Sequence, residues 1–135
     1  MTERAAIETL LLSAYEARVQ GDLDGVMAFF HPDCRFHFMG AEDLGPMCSP
    51  QTGCAAVREQ MAGLIGTFAF SKFRTLGLLV EGARASFHWS ADVTHVPTGR
   101  TQSFEAVDLV TVEDGKVRSL TQFTDTASVM RLGSA

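Results

Sequence analysis

The chain has 135 residues, of which 46% are hydrophobic and 20% charged, with ten Phe beside one Trp and one Tyr. This is enough apolar material for one packed core and too much for a disordered segment. Eleven Lys and Arg against 16 Asp and Glu leave a formal charge of −5 without a basic patch, which excludes nucleic acid as an expected partner.

Apolar runs are only a few residues long and the N-terminal MTERAAIETLLLSAY mixes charge into them, so neither a membrane span nor a cleaved leader is expected. The reading is a cytoplasmic protein with a single domain over residues 1–135. Between Thr2 and Gln20, the residues Ile7, Leu10, Leu11, Ala14 and Tyr15 recur three and four apart, and Gly21 stands where a left-handed residue closes a helix. Asp22 is a candidate N-cap for a second helix with Val26, Met27, Phe29 and Phe30 on its apolar face and Pro32 as its stop. Cys34 to Met39 alternates Phe36 and Phe38 against Arg35 and His37, the period of a short strand. The loop from Gly40 to Gly53, rich in Gly, Pro and Ser, is a candidate lid. Thr52 then caps a third helix carrying Val57, Met61, Leu64, Ile65 and Phe68.

Beyond Phe70 the pattern predicts antiparallel strands over Lys72 to Glu81, Arg84 to Val96, Thr101 to Val112 and Lys116 to Thr126. At about 3.3 Å per residue these reach roughly 35–40 Å, long enough to coil. The fold class is therefore α+β, a cone-shaped curved antiparallel sheet wrapped around three N-terminal helices. Cys34, Cys48 and Cys54 are odd in number and lack zinc-ribbon spacing, so reduced thiols and no metal are expected.

Turn chemistry sets the faces. A three-residue turn at Glu113-Asp114-Gly115 places Asp108 opposite Leu120, and a turn within Pro97 to Arg100 places Trp89 opposite Asp108. One face then collects Phe87, Trp89, Ala91, Val93, Phe104, Ala106, Asp108, Val110, Leu120, Gln122 and Thr124, and should meet the helices. The other carries Ser86, His88, Ser90, Asp92, Glu105 and Thr121, with Val107, Leu109 and Phe123 as an apolar patch suited to a homodimer. Asp108 is the site-like residue, because burial among apolar side chains raises a carboxylate pKa. The alternatives are a structural carboxylate satisfied by a Tyr or backbone donor, or a register slipped by one residue.

The chain resembles the nuclear transport factor 2-like superfamily, more closely its ketosteroid isomerase and SnoaL-like polyketide cyclase branch. The resembling residues are Tyr15, Gly21-Asp22-Leu23-Asp24-Gly25-Val26, Phe29-Phe30-His31-Pro32-Asp33, Phe36-His37-Phe38-Met39-Gly40, Gly53 with Ala56-Val57-Arg58, Val107-Asp108, and Val112-Glu113-Asp114-Gly115-Lys116-Val117. The resemblance implies a cone enclosing an apolar pocket, often in a dimer packed sheet against sheet. In ketosteroid isomerases a protonated Asp and a helix-one Tyr form an oxyanion hole, and a second Asp on the first strand shuttles the proton. Asp108 falls at the oxyanion acid, Tyr15 one residue after the family Tyr, and Phe38 at the shuttle position, so ketosteroid isomerisation itself is not expected.

His37 would replace the missing base if a one-residue bulge turned it into the pocket, whereas regular alternation points it away. Tyr15 is either a pocket donor or a core Tyr, and Trp89 either stacks on a flat ligand or fills the cone. Phe38 and Phe104 are candidate apolar contacts, with Gln122 and Thr124 as groups that orient a ligand oxygen. No Gly-x-Ser-x-Gly elbow or phosphate-cradling glycine motif occurs, and no cofactor is implied. The expected function is a pocket for a small apolar ligand, with acid/base isomerisation, cyclisation or dehydration beside a carbonyl. The competing expectation is a non-catalytic ligand-binding or dimerisation module on the same scaffold.

Overall fold

The computed structural model describes residues 3–134. Helix α1 (Glu3–Gln20) buries Ile7, Leu11, Ala14, Tyr15 and Arg18 on one face and ends at Gly21, whose φ of +71° is the left-handed value the sequence predicts. Thr2, its expected start, lies outside the described residues. The Asp22 carboxylate accepts a hydrogen bond from the Gly25 amide and caps α2 (Leu23–Met27).

Strand β1 (Phe30–Phe38) begins earlier than expected and contains Pro32, so Pro32 is not the stop of α2. Proline fits there because the ladder between β1 and the last strand is interrupted between Phe30 and Arg35, leaving no bond for a missing amide to break. The following loop holds two short 3-10 turns, Glu42–Leu44 and Pro46–Cys48, and the two-residue edge strand β2 (Gln51–Thr52). Thr52 pairs with Arg35 in that strand instead of capping a helix; the cap of α3 (Cys54–Thr67) is Gly53, at φ +93°. Phe68 opens β3 and is not part of α3.

Strands β3 (Phe68–Glu81), β4 (Arg84–His95), β5 (Arg100–Glu113) and β6 (Lys116–Thr124) form an antiparallel meander, and the whole sheet runs β2-β1-β6-β5-β4-β3. The sheet is mixed, not antiparallel throughout, because β1 lies parallel to β6. Hairpin logic could not reveal this: β1 reaches the free edge of β6 through a long crossover, not through a turn. Bulges in β3, with Lys72 at φ +52°, help the sheet curve. A further helix that the sequence reading missed, α4 (Thr126–Gly133), closes the chain, capped by Asp125 and burying Val129 and Leu132.

Both hairpin registers differ from expectation by two residues. Asp114 (φ +54°) and Gly115 (φ +72°) form a two-residue turn, so Glu113 faces Lys116, and an irregularity between Thr111 and Val112 shifts the pairing by one more residue, so Asp108 faces Gln122, not Leu120. His95 faces Arg100, so Asp108 stands opposite Phe87 and Trp89 opposite Ala106. A slip of two preserves side-chain parity, and the inward face is the one the sequence predicts. Along β4, Ala85, Phe87, Trp89, Ala91 and Val93 are buried beneath α1 and α3 while the residues between them are half-exposed. Among the described residues no helix is long and apolar enough to cross a membrane.

Phe87 is fully buried, with its ring against Tyr15 and Phe73. Phe87→Ala should cost about 3–5 kcal/mol in urea unfolding, as a large core truncation leaves a void.

Candidate functional site

Between α1, α3, α4 and the concave sheet lies a cavity of about 90 Å³. That is space for roughly half a dozen waters, or for part of a ring system. Phe36 and Phe38 of β1, Met61 and Leu64 of α3, and Phe68 and Phe70 of β3 supply much of its wall. Trp89, Phe104 and Leu120 form its sheet side, and Val129 and Leu132 of α4 close one end. Polar groups are few: Tyr15, Arg18, Gln122 and Thr124. None of the residues from Gly40 to Gly53 lines this cavity, so α4 occupies the place the sequence reading gave to that loop.

Asp108 sits directly behind the wall, with no exposed surface. Its Oδ2 accepts hydrogen bonds from the Tyr15 hydroxyl and, at 3.2 Å, from Trp89 Nε1. Its Oδ1 accepts from Gln122 Nε2 at 3.1 Å, and the same amide reaches the Tyr15 oxygen at 3.2 Å. Burial pushes the Asp108 pKa up to about 6, while the bonds from Tyr15, Gln122 and Trp89 pull against it. Burial also raises the Tyr15 phenol well above its ordinary range, helped by the Asp108 charge.

Arg18 escaped the sequence reading. It follows Tyr15 by three residues on the same face of α1, a spacing that makes the two neighbours, and burial lowers its pKa to about 10, so it remains charged at neutral pH. The one available signal was that periodicity, since residue 18 continues the stripe of Leu11, Ala14 and Tyr15.

Among the expected site residues, Tyr15, Trp89, Gln122, Phe38, Phe104 and Thr124 all reach the cavity wall. Tyr15 does so although it stands one residue later than the family Tyr. Thr124 Oγ1 donates to the Glu105 carbonyl at 2.6 Å, which occupies its proton. Asp108 is adjacent to the cavity but sealed from it by Tyr15, Trp89 and Gln122. His37 pairs with Thr121 in regular register between Phe36 and Phe38, and does not line the cavity; the ladder irregularity in β1 lies before Arg35. His88 hydrogen-bonds Glu105 on the exposed outer face. Among the described residues no group of three His, Cys, Asp or Glu is placed to hold a metal ion, and the three cysteines are unpaired.

Residues 12–120 match a family described as the SnoaL-like domain. The chain belongs to the SnoaL-like family. Its fold is that of the nuclear transport factor 2-like superfamily. A structure of a nuclear transport factor 2-like protein of unknown function from Burkholderia pseudomallei has a TM-score of 0.82 at 23% identity, covering 100% of both chains. A candidate isomerase from Bacillus subtilis gives 0.88 at 14% identity, covering 98% of this chain and 95% of its own. A candidate polyketide cyclase from Xanthomonas campestris gives 0.78 at 19%, covering 98% and 100%. No curated protein matches the chain.

In the SnoaL-like fold the raised pKa of Asp108 has a consequence for stability. An acid with a higher pKa folded than unfolded binds more protons in the native state, so its contribution falls as pH rises from about 4 to about 6. Relative to Asp108→Asn, the wild type should lose roughly 2–4 kcal/mol between pH 4 and pH 7.5, read from urea midpoints. A flat difference would mean that Asp108 titrates as an ordinary carboxylate.

Proposed function

We propose that this SnoaL-like protein holds an apolar cyclic ligand and exchanges a proton with it beside a carbonyl group. Tyr15 makes the contact, and Asp108 serves behind it as positioning residue and proton store. The observation that carries this reading is the hydrogen bond from Tyr15, on the wall of an otherwise apolar cavity, to a fully buried carboxylate.

With Asp108 ionised, Tyr15 donates its only proton inward and turns a phenolic lone pair to the cavity. A proton leaving the carbon next to the ligand carbonyl passes to the Tyr15 oxygen as the Tyr15 proton passes to Asp108. Enolate, neutral Tyr15 and protonated Asp108 result, so no tyrosinate has to exist. The reverse transfer returns the proton to the same or another carbon of the conjugated system, which balances an isomerisation. If the ligand carries a β-hydroxyl, the stored proton leaves with it as water. Gln122 keeps the pair aligned by donating to both partners. An acid whose pKa lies near 6 suits such work at neutral pH, because both protonation states are accessible.

One observation favours a second reading, a ligand-binding module without turnover: among the described residues no carboxylate or imidazole faces the cavity. Deuterium exchange into 2-tetralone, an acidic cyclic ketone, followed by proton NMR, separates the two. Proton transfer through the relay predicts acceleration over buffer that rises with pH through about 6. Tyr15→Phe should reduce it by about 10²–10⁴-fold, the usual worth of a positioned acid or base, and Asp108→Asn should abolish the pH dependence. Tetralone that binds without accelerated exchange leaves the binding module.

The outer sheet face supports self-association in either case. Leu79, Leu109 and Phe123 are 74%, 49% and 39% exposed, and Leu79 and Leu109 both pair with Ser86, on the face away from the cavity. Sedimentation should show a dimer at micromolar concentration that Leu109→Lys dissociates; a wild-type monomer overturns this contact.

A further inference from the structure

Arg18 takes no part in the proton relay, yet its placement is the least expected in the molecule. The side chain is 7% exposed, it lines the cavity, and among the described residues it has no ion-pair partner. Its Nη2 donates to the Phe68 carbonyl at 2.7 Å and to the Leu64 carbonyl at 3.3 Å, and the guanidinium carbon lies 3.9 Å from the centre of the Phe70 ring. These contacts fix the guanidinium plane while using one of its three nitrogens. Nε and Nη1 have no partner among the described residues. No described side-chain nitrogen is both sealed and unpartnered, so these two donors keep some accessible surface, and Arg18 lines the cavity.

A charge held in apolar surroundings is costly unless something answers it. Bonding two carbonyls at the junction of α3 and β3 needs a donor but not a cation, and a neutral amide would serve. A cation with an unpartnered Nη1 and its two N–H groups is matched instead by an oxyanion.

We infer that the ligand is an organic acid, a largely apolar cyclic molecule whose anionic oxygen sits on Nη1 of Arg18 while its reacting end meets Tyr15. Tyr15 and Arg18 stand one helical turn apart on the same face of α1, so one ligand in the cavity can meet both. The shared chemistry is a delocalised oxyanion, supplied by a carboxylate or by an ionised enol. This inference rests on the reading of the cavity as the ligand site.

The test is calorimetric titration of the whole chain at pH 7.5 with two pairs of probes that differ in charge and little in shape. One pair is 2-naphthoate and 2-naphthamide; the other is 2-hydroxy-1,4-naphthoquinone, ionised at this pH, and its neutral 2-methoxy analogue. At least one anion should bind on the order of ten-fold tighter than its neutral partner, as charge-assisted bonds to a guanidinium require. The preferred pair identifies the source of the oxyanion. Arg18→Gln should erase the preference for the anion over its neutral partner, and Arg18→Lys should restore part of it. Should Arg18→Gln fail to fold, the wild type and Arg18→Lys decide by themselves. Equal affinity for anion and neutral partner in the wild type overturns the inference and leaves the cavity reading intact. No binding of any of the four overturns the cavity reading and this inference with it.

Discussion

A carboxylate with no exposed surface has to be answered by donors, and in this protein the donors come from three places. Tyr15 reaches Asp108 from α1, Trp89 from β4 and Gln122 from β6, with Asp108 itself on β5. Removing any one leaves a buried acceptor short of a partner, which costs more than the bond contributes when made. The three bonds therefore act as locators. They set the height and rotation of α1 over the sheet, and they bring the strands that bear Trp89 and Gln122 to converge on one point.

The aromatic packing follows from that placement. With its hydroxyl tied down, the Tyr15 ring stacks on Phe73 at 4.8 Å and leans on Trp89 at 5.1 Å and Phe87 at 5.7 Å. These rings fill one part of the cone. The remainder, lined by Arg18 and by Val129 and Leu132 of α4, is the cavity. Helix α4 covers the gap with Val129 and Leu132. The same constraint that holds the fold together thus helps decide where the cavity lies and brings Tyr15 to its wall.

The inward face could be read from the sequence because a sheet has only two faces. An error of two residues in both hairpins left Asp108, Trp89 and Gln122 on the correct side, although their partners across the strands changed. What could not be read were relations fixed by distant packing. Whether Asp114 joins Gly115 in a two-residue turn depends on how the strands twist, and the parallel seat of β1 depends on which edge of the meander is free. Tyr15 was ambiguous because one residue on a helix is a rotation of about 100°, and only the tilt of α1 decides whether its hydroxyl reaches a strand. Arg18 was invisible for a related reason. An arginine on the apolar face of a helix reads as a long chain that carries its charge out to water, and the carbonyls of Leu64 and Phe68 that retain it belong to a junction nearly 50 residues away.

Charge balance links the two ends of the cavity. At neutral pH Arg18 is a cation and Asp108 largely an anion; burial raises the Tyr15 phenol, and the Arg18 charge works against that rise. A neutral ligand leaves this arrangement as it stands. On the reading proposed above, an oxyanion on Nη1 of Arg18 would offset the cation whose charge works against the raised Tyr15 phenol, so the phenol would hold its proton more firmly once an anion is seated. The proposed relay passes a proton through Tyr15 to Asp108 without a tyrosinate, and that demand would be met more strictly beside an anionic ligand than beside a neutral one.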